Sequence, residues 1–215
     1  MTILFEVTLF AVVAILLAPF GAIMVASHQV ALNFSALMFM IPLSIGMATS
    51  IRIGFLLGED RPAQAKVATK CAFVLGVSIA AFTATITVFG RESIAHLYSI
   101  DPAVISLASN MLLFAAMFQF SDAIQVISGT ALRGYKDTAA MFYLSFISYW
   151  LVGLTIGCIL GLTDWIVPKM AGAGFWIGFI CGLTCAAITL GIRLRFIQNK
   201  HIQSKHIQQQ NPMGA

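Results

Sequence analysis

Asp122 is the only charged residue between Val104 and Thr130. Gln119 and Gln125 stand three positions to either side of it, and Phe118 stands one turn before it. At helical spacing these side chains share a face. A carboxylate in an apolar helix is costly unless something compensates it. It has two useful states. Protonated, it is cheap to bury; ionised, it holds sodium or a cationic solute in place of the proton. That is the chemistry of a coupling site in a secondary transporter. The plain alternative is a packing carboxyl bonded to Ser, Thr or Gln. A second acid, Glu6, interrupts the apolar stretch Ile3–Pro19, close enough to the chain start to leave a place at the water interface open. No nucleophile elbow, phosphate loop or HExxH pattern is present, and no acids pair at short spacing. Neither an enzyme nor a cofactor is expected.

The elements that must carry these acids are membrane helices. Hydrophobic residues make up 60% of the 215, and Asp, Glu, Lys and Arg only 9%, against about 25% charged in an average soluble domain. Six apolar runs follow one another, at about 3–19, 30–57, 67–89, 104–130, 138–160 and 171–192. The pattern predicts an all-α polytopic membrane protein of six transmembrane helices, although the 17-residue first run falls short of the roughly 20 residues of a full span. Residues 1–195 form the membrane unit. Residues 196–215 turn polar and Gln-rich, which predicts a disordered tail. The link at 90–103 has room for an interfacial half-turn. Gly153, Gly157 and Gly161 repeat every four residues, as do Gly174, Gly178 and Gly182, so each set offers a smooth stripe for close helix approach. Pro42 falls inside the second run and removes one helical hydrogen bond. The four cysteines, Cys71, Cys158, Cys181 and Cys185, lie in apolar runs without metal-site company and read as packing residues.

Basic residues fix the expected orientation. With six crossings, Arg52, Arg61, Lys66, Lys70, Arg133, Lys136, Arg193, Arg195, Lys200 and Lys205 fall near one side, and only Arg91 and Lys169 near the other. Both chain ends are therefore expected in the cytoplasm. The formal charge of +4 is a topology signal, and no nucleic acid partner is needed to explain it.

The residues also carry a resemblance. FEVTLFAVV at 5–13, ASHQVALNFSALMFMIPLSIGMATSIRIGFLLG at 26–58, and the stretch from Asp122 through GTALRGYKDT at 129–138 resemble the carboxy-terminal half of the multidrug and toxic compound extrusion (MATE) family, in its NorM-like branch. The resemblance implies one six-helix lobe of a twelve-helix, two-lobe transporter in the bacterial inner membrane. It implies export of cationic amphipathic drugs and dyes by sodium or proton antiport. It makes Glu6 and Asp122 the cation-coupling carboxylates and the place for sodium. Gln119, Gln125 and Asn33 become candidates for supporting or substrate-path roles. Phe118 stands where the family carries an aromatic residue with a hydroxyl, a departure that removes one oxygen ligand. A complete member has a first lobe that this sequence lacks, and it buries the acid of its seventh helix two turns deeper. The expectation is a truncated or split-gene fragment with Met1 an internal start, inactive alone. Its partners would be membrane lipid and either the missing amino-terminal lobe or a second copy. The alternative is a membrane interaction or scaffold half-protein without transport activity.

Overall fold

The computed structural model describes residues 2–165 and 168–210. Six helices follow one another: α1 Thr2–Leu17, closed by a 3-10 turn at Ala18–Phe20, α2 Ala22–Gly58, α3 Pro62–Tyr98, α4 Pro102–Gly134, α5 Thr138–Leu162 and α6 Gly172–Gln210. Among the described residues, five of these, α2 to α6, are long and apolar enough to cross a membrane. Six full spans are thus corrected to five plus a shorter apolar helix. α1 has 16 residues, fewer than the roughly 20 a crossing takes.

The helices outrun the apolar stretches that announce them. α2 and α3 each have 37 residues, about 55 Å at 1.5 Å per residue, against a hydrocarbon layer of about 30 Å. α2 therefore begins before Ser27–Gln29, and α3 absorbs most of the 90–103 link, which leaves Ser99–Asp101 as the turn. Polarity marks where a helix leaves the hydrocarbon; the hydrogen-bond ladder runs on until something stops it. Here the punctuation is local. Pro62 and Pro102 open α3 and α4 in the first turn, where the missing N–H is no loss. The Asp101 carboxylate accepts the Ala103 N–H at 2.9 Å and caps α4.

The same reasoning corrects the tail. Residues 196–210 are helical, where disorder was expected. Gln and Lys are good helix formers, and the extension has places to dock. Ile197 and Gln198 are buried, Lys66 Nζ donates to Asn199 Oδ1 at 3.0 Å, and Lys205 Nζ lies 2.9 Å from Asp60 Oδ2. Residues 211–215, the end of that tail, lie outside the described residues.

α4 is the central helix, packed against α2, α3 and α6. The turn at Glu59–Arg61, the turn after α4 and the α6 extension gather at one end of the bundle. There Arg193 Nε donates to Asp137 Oδ2 at 2.7 Å, and the rings of Tyr135 and His201 stand 5.3 Å apart. The two glycine stripes face each other. A Cβ on Gly178 would come within 2.6 Å of Gly153 O and Gly157 Cα, and one on Gly174 within 2.6 Å of Gly161 N. Only glycine permits this approach of α5 to α6. Midway, at Ile147–Gly153, α5 opens into a π-helical segment.

Candidate functional site

Glu6 lies on the inward stripe of α1. Leu9, Val13 and Leu17, spaced three, seven and eleven residues on, are buried with it. The Phe5 ring anchors this face to α5, 4.9 Å from Phe142 and 5.3 Å from Phe146. The Glu6 side chain therefore points into the bundle and is only 8% exposed. Asp122 is buried in the middle of α4. Tyr149 is buried in the π-helical segment of α5. The two carboxyls and the Tyr149 phenol lie within electrostatic reach of one another. Among the described residues, Asp122 Oδ1 and the Tyr149 hydroxyl have no hydrogen-bond partner. Neither Glu6 nor Asp122 belongs to any of the four ion pairs among the described residues. Buried charge without a protein partner must be neutralised by a proton or a small cation.

Two spaces meet at Glu6. The inner one is small, about 20 Å³, and is lined by Glu6, Gln125, Thr130, Arg133 and Met141 among others. That is room for about one water-sized occupant. Gln125 Oε1 is buried without a partner. The outer one is about 420 Å³ and lies between α1, α2 and Phe118 of α4, within the size range of small-molecule sites. Its polar groups are Glu6, Gln29, Asn33 and Ser35; the rest of its wall is apolar. Gln29 Nε2 donates to Asn33 Oδ1 at 3.0 Å. Phe118 closes it from behind, with its ring 5.9 Å from Trp176 and 6.3 Å from Phe10, which in turn is 5.0 Å from Phe179. Among the described residues, no three His, Cys, Asp or Glu side chains gather as a metal-holding group. Oxygen ligands from carboxyl, amide and phenol suit a hard monovalent ion or a proton.

The residues singled out in the sequence thus divide. Glu6 and Gln125 line one small pocket, Asn33 and Phe118 line the adjoining cavity with Glu6, and Asp122 is buried within electrostatic reach of Glu6. Gln119 turns away. Its Oε1 accepts from Thr83 Oγ1 at 2.7 Å and its Nε2 donates to Thr87 Oγ1 at 3.0 Å, which ties α4 to α3. Tyr149, Gln29 and Ser35 were not picked out as site residues. Gln29 and Asn33 are one turn apart in an otherwise apolar helix, a spacing that marks a polar face. Tyr149 has no such signal, because the π-helical segment shifts its facing relative to the helix before it.

Comparison with known proteins gives the same frame. The MatE family profile matches residues 1–159. The chain is 57% identical over 197 residues to the "Multidrug resistance protein NorM" of Vibrio vulnificus (strain YJ016), covering 92% of this chain and 43% of that protein. It is 52% identical over 200 residues to the "Multidrug resistance protein MdtK" of Yersinia pestis (strain Pestoides F), covering 93% and 44% respectively. The chain therefore spans less than half the length of these curated relatives. The crystal structure of the eukaryotic MATE transporter AtDTX14 superposes with a TM-score of 0.82 at 23% identity, over 91% of this chain and 44% of that one. The bundle is thus one lobe of a MATE-type fold, and the chain belongs to the MatE family.

Proposed function

We propose that this chain is the carboxy-terminal, cation-binding lobe of a multidrug antiporter, which exchanges a proton or sodium ion for a cationic amphipathic drug or dye across the bacterial inner membrane. The observation that carries the reading is the position of Glu6 on the boundary between a water-sized pocket and a drug-sized apolar cavity. An aromatic, apolar wall with one carboxyl suits a lipophilic cation. When the carboxyl pair is charged, it attracts the drug. When a proton or sodium ion neutralises it, that attraction is lost. The two cations compete for one charge, which is the thermodynamic requirement of antiport. Asp122 is the principal coupling group and Glu6 its partner. The Tyr149 phenol supplies the hydroxyl that Phe118 lacks. Gln125 and Asn33 support the ion and substrate path.

The lobe does not transport by itself. Alternating access moves one repeat against another around the site, and the outer cavity needs a second wall. The partner is an amino-terminal lobe, with a second copy of this chain as the substitute. The basic asymmetry supports a cytoplasmic side for the turn at Glu59–Arg61, the turn after α4 and the α6 extension. The test is to fuse the chain to the amino-terminal lobe of the Vibrio vulnificus relative, express it in an efflux-deficient bacterium, and measure cation-dependent dye efflux. Efflux should require Asp122. The chain expressed alone should reach the membrane and leave dye retention unchanged. Asp122-dependent efflux from the chain alone would replace the two-lobe reading with a dimer of half-transporters.

A further inference from the structure

A groove of about 480 Å³ runs between α3, α4 and α6, toward the end of the bundle where the basic residues collect. Lys66, Lys70 and Arg195 line it, and no carboxylate does. None of the three joins an ion pair among the described residues. Lys66 is held in place by its bond to Asn199 Oδ1 at 3.0 Å. Gln198 also lines the groove and is 5% exposed, with its amide turned toward the Tyr135 hydroxyl. Toward the middle of the helices the lining becomes Phe73, Val77, Ile188 and Ile192. Ile188 and Ile192 are 57% and 65% exposed. The groove is open at Gly191, where an added Cβ would meet nothing within 4 Å. These groups lie on another face of the bundle from the carboxyl pair and take no part in it.

Three cations set above an apolar channel on membrane helices match one kind of molecule. A phosphate alone would satisfy the basic rim and leave the channel to lipid of any kind. A zwitterionic phospholipid would bring its own cation against three others. An anionic phospholipid satisfies both parts, because a phosphodiester bonds Arg and Lys strongly and its acyl chain covers the exposed Ile188 and Ile192 surface. We infer that this groove binds one anionic phospholipid. The phosphodiester lies against Lys66, Lys70 and Arg195, and an acyl chain runs along Val77, Ile188 and Ile192. The bound lipid clamps α6 to α3 beside the Lys66–Asn199 bond. The inference rests on the chain lying in a membrane and is independent of transport.

The test uses the full chain purified in a neutral detergent, with native mass spectrometry and titration of a fluorescent phosphatidylglycerol. Saturable binding of one phosphatidylglycerol is expected, with phosphatidylcholine at least about tenfold weaker and millimolar inorganic phosphate unable to displace the lipid. Each basic side chain near an anionic headgroup is worth about fivefold in affinity. Lys70→Glu with Arg195→Glu should therefore weaken binding at least about thirtyfold. Both side chains are exposed, so helicity by circular dichroism should not change. The charge-matched pair Arg52→Glu with Lys200→Glu, outside the groove, should keep binding within about threefold of wild type. Gly191→Leu leaves every charge in place and fills the groove floor; it should also release the lipid. The inference is overturned if phosphatidylcholine binds as well as phosphatidylglycerol, or if both charge-reversal pairs lose binding equally. Displacement by inorganic phosphate would likewise overturn it, in favour of a free-phosphate site.

Discussion

Glu6 of α1 and Gln125 of α4 line the same pocket of about 20 Å³, although 119 positions separate them in the sequence. Asp122 stands one turn before Gln125 on α4, buried within electrostatic reach of Glu6. Replacing either acid by its amide keeps shape and hydrogen bonding but removes the titratable charge. In the two-lobe fusion, Asp122→Asn should reduce dye efflux to the level of cells without the transporter. Protein abundance should stay level or rise, because a buried charge without a protein partner is no stabiliser. Glu6→Gln should behave in the same direction. Undiminished efflux by Asp122→Asn would end the coupling role.

Tyr149 tests the oxygen that is absent at position 118. Its hydroxyl is buried and unpartnered, so as a packing residue it would gain stability, or lose none, when changed to Phe. As an ion ligand, Tyr149→Phe should instead raise the cation concentration for half-maximal efflux by about tenfold, the equivalent of one hydrogen bond to a charged group. Phe118→Tyr, with sodium dependence measured in parallel, should strengthen the sodium response. No change in cation dependence for either variant would remove the phenol from the site.

Gln119→Leu separates structure from coupling. The change removes the two bonds of the Gln119 amide to the Thr83 and Thr87 hydroxyls on α3, which keep only their bonds to backbone carbonyls of their own helix. A loss of about 1–3 kcal/mol is expected from these broken bonds, read as a lower melting temperature in detergent. The cation dependence of efflux in the fusion should be unaltered. A shift in that dependence would return Gln119 to the ion path.

Gly178→Leu tests the glycine contact. Even the first added carbon would sit 2.6 Å from the backbone of α5, and backbone cannot step aside as a side chain can. Overpacking of this kind costs at least about 1–3 kcal/mol. The variant should unfold at lower temperature, whereas Gly54→Leu, where nothing lies within 4 Å, should not.

Reporter fusions after Lys66 and Lys136 should read one side of the membrane, and fusions after His96 and Lys169 the other. Residues 66 and 96 reading the same side would contradict the observed course of α3.

The helices and the carboxyl pair were legible in the sequence because both rest on strong, local physics. A membrane helix must be apolar for about 20 residues, and a charge inside one stands out against that background. The glycine stripes were legible for the same reason, since a four-residue repeat is a surface whatever it meets. What escaped notice depended on the partner. Gln119 and Gln125 look equivalent in sequence, at equal distances from Asp122. Only the hydroxyls of α3 separate the amide that holds helices together from the one that faces the pocket. The α6 extension escaped because its composition is that of a disordered tail, while Asn199 and Lys205 find partners on distant turns. Tyr149 escaped because helical counting fails across the segment that carries it.

That segment has a consequence for how α5 is read. Its bonds skip one residue further than those of an α-helix, and each residue of displacement turns the following face by about 100°. The first half of α5 shows its aromatic side, Phe142 and Phe146, to α1. The second half shows its glycines to α6. One helix thus keeps two appointments that no single regular spiral would let it keep, and Tyr149 stands at the joint between them. Deleting one residue there would restore the regular spiral and pull the two faces out of step, with the phenol swung away from the acids. The irregularity is the clutch of the helix.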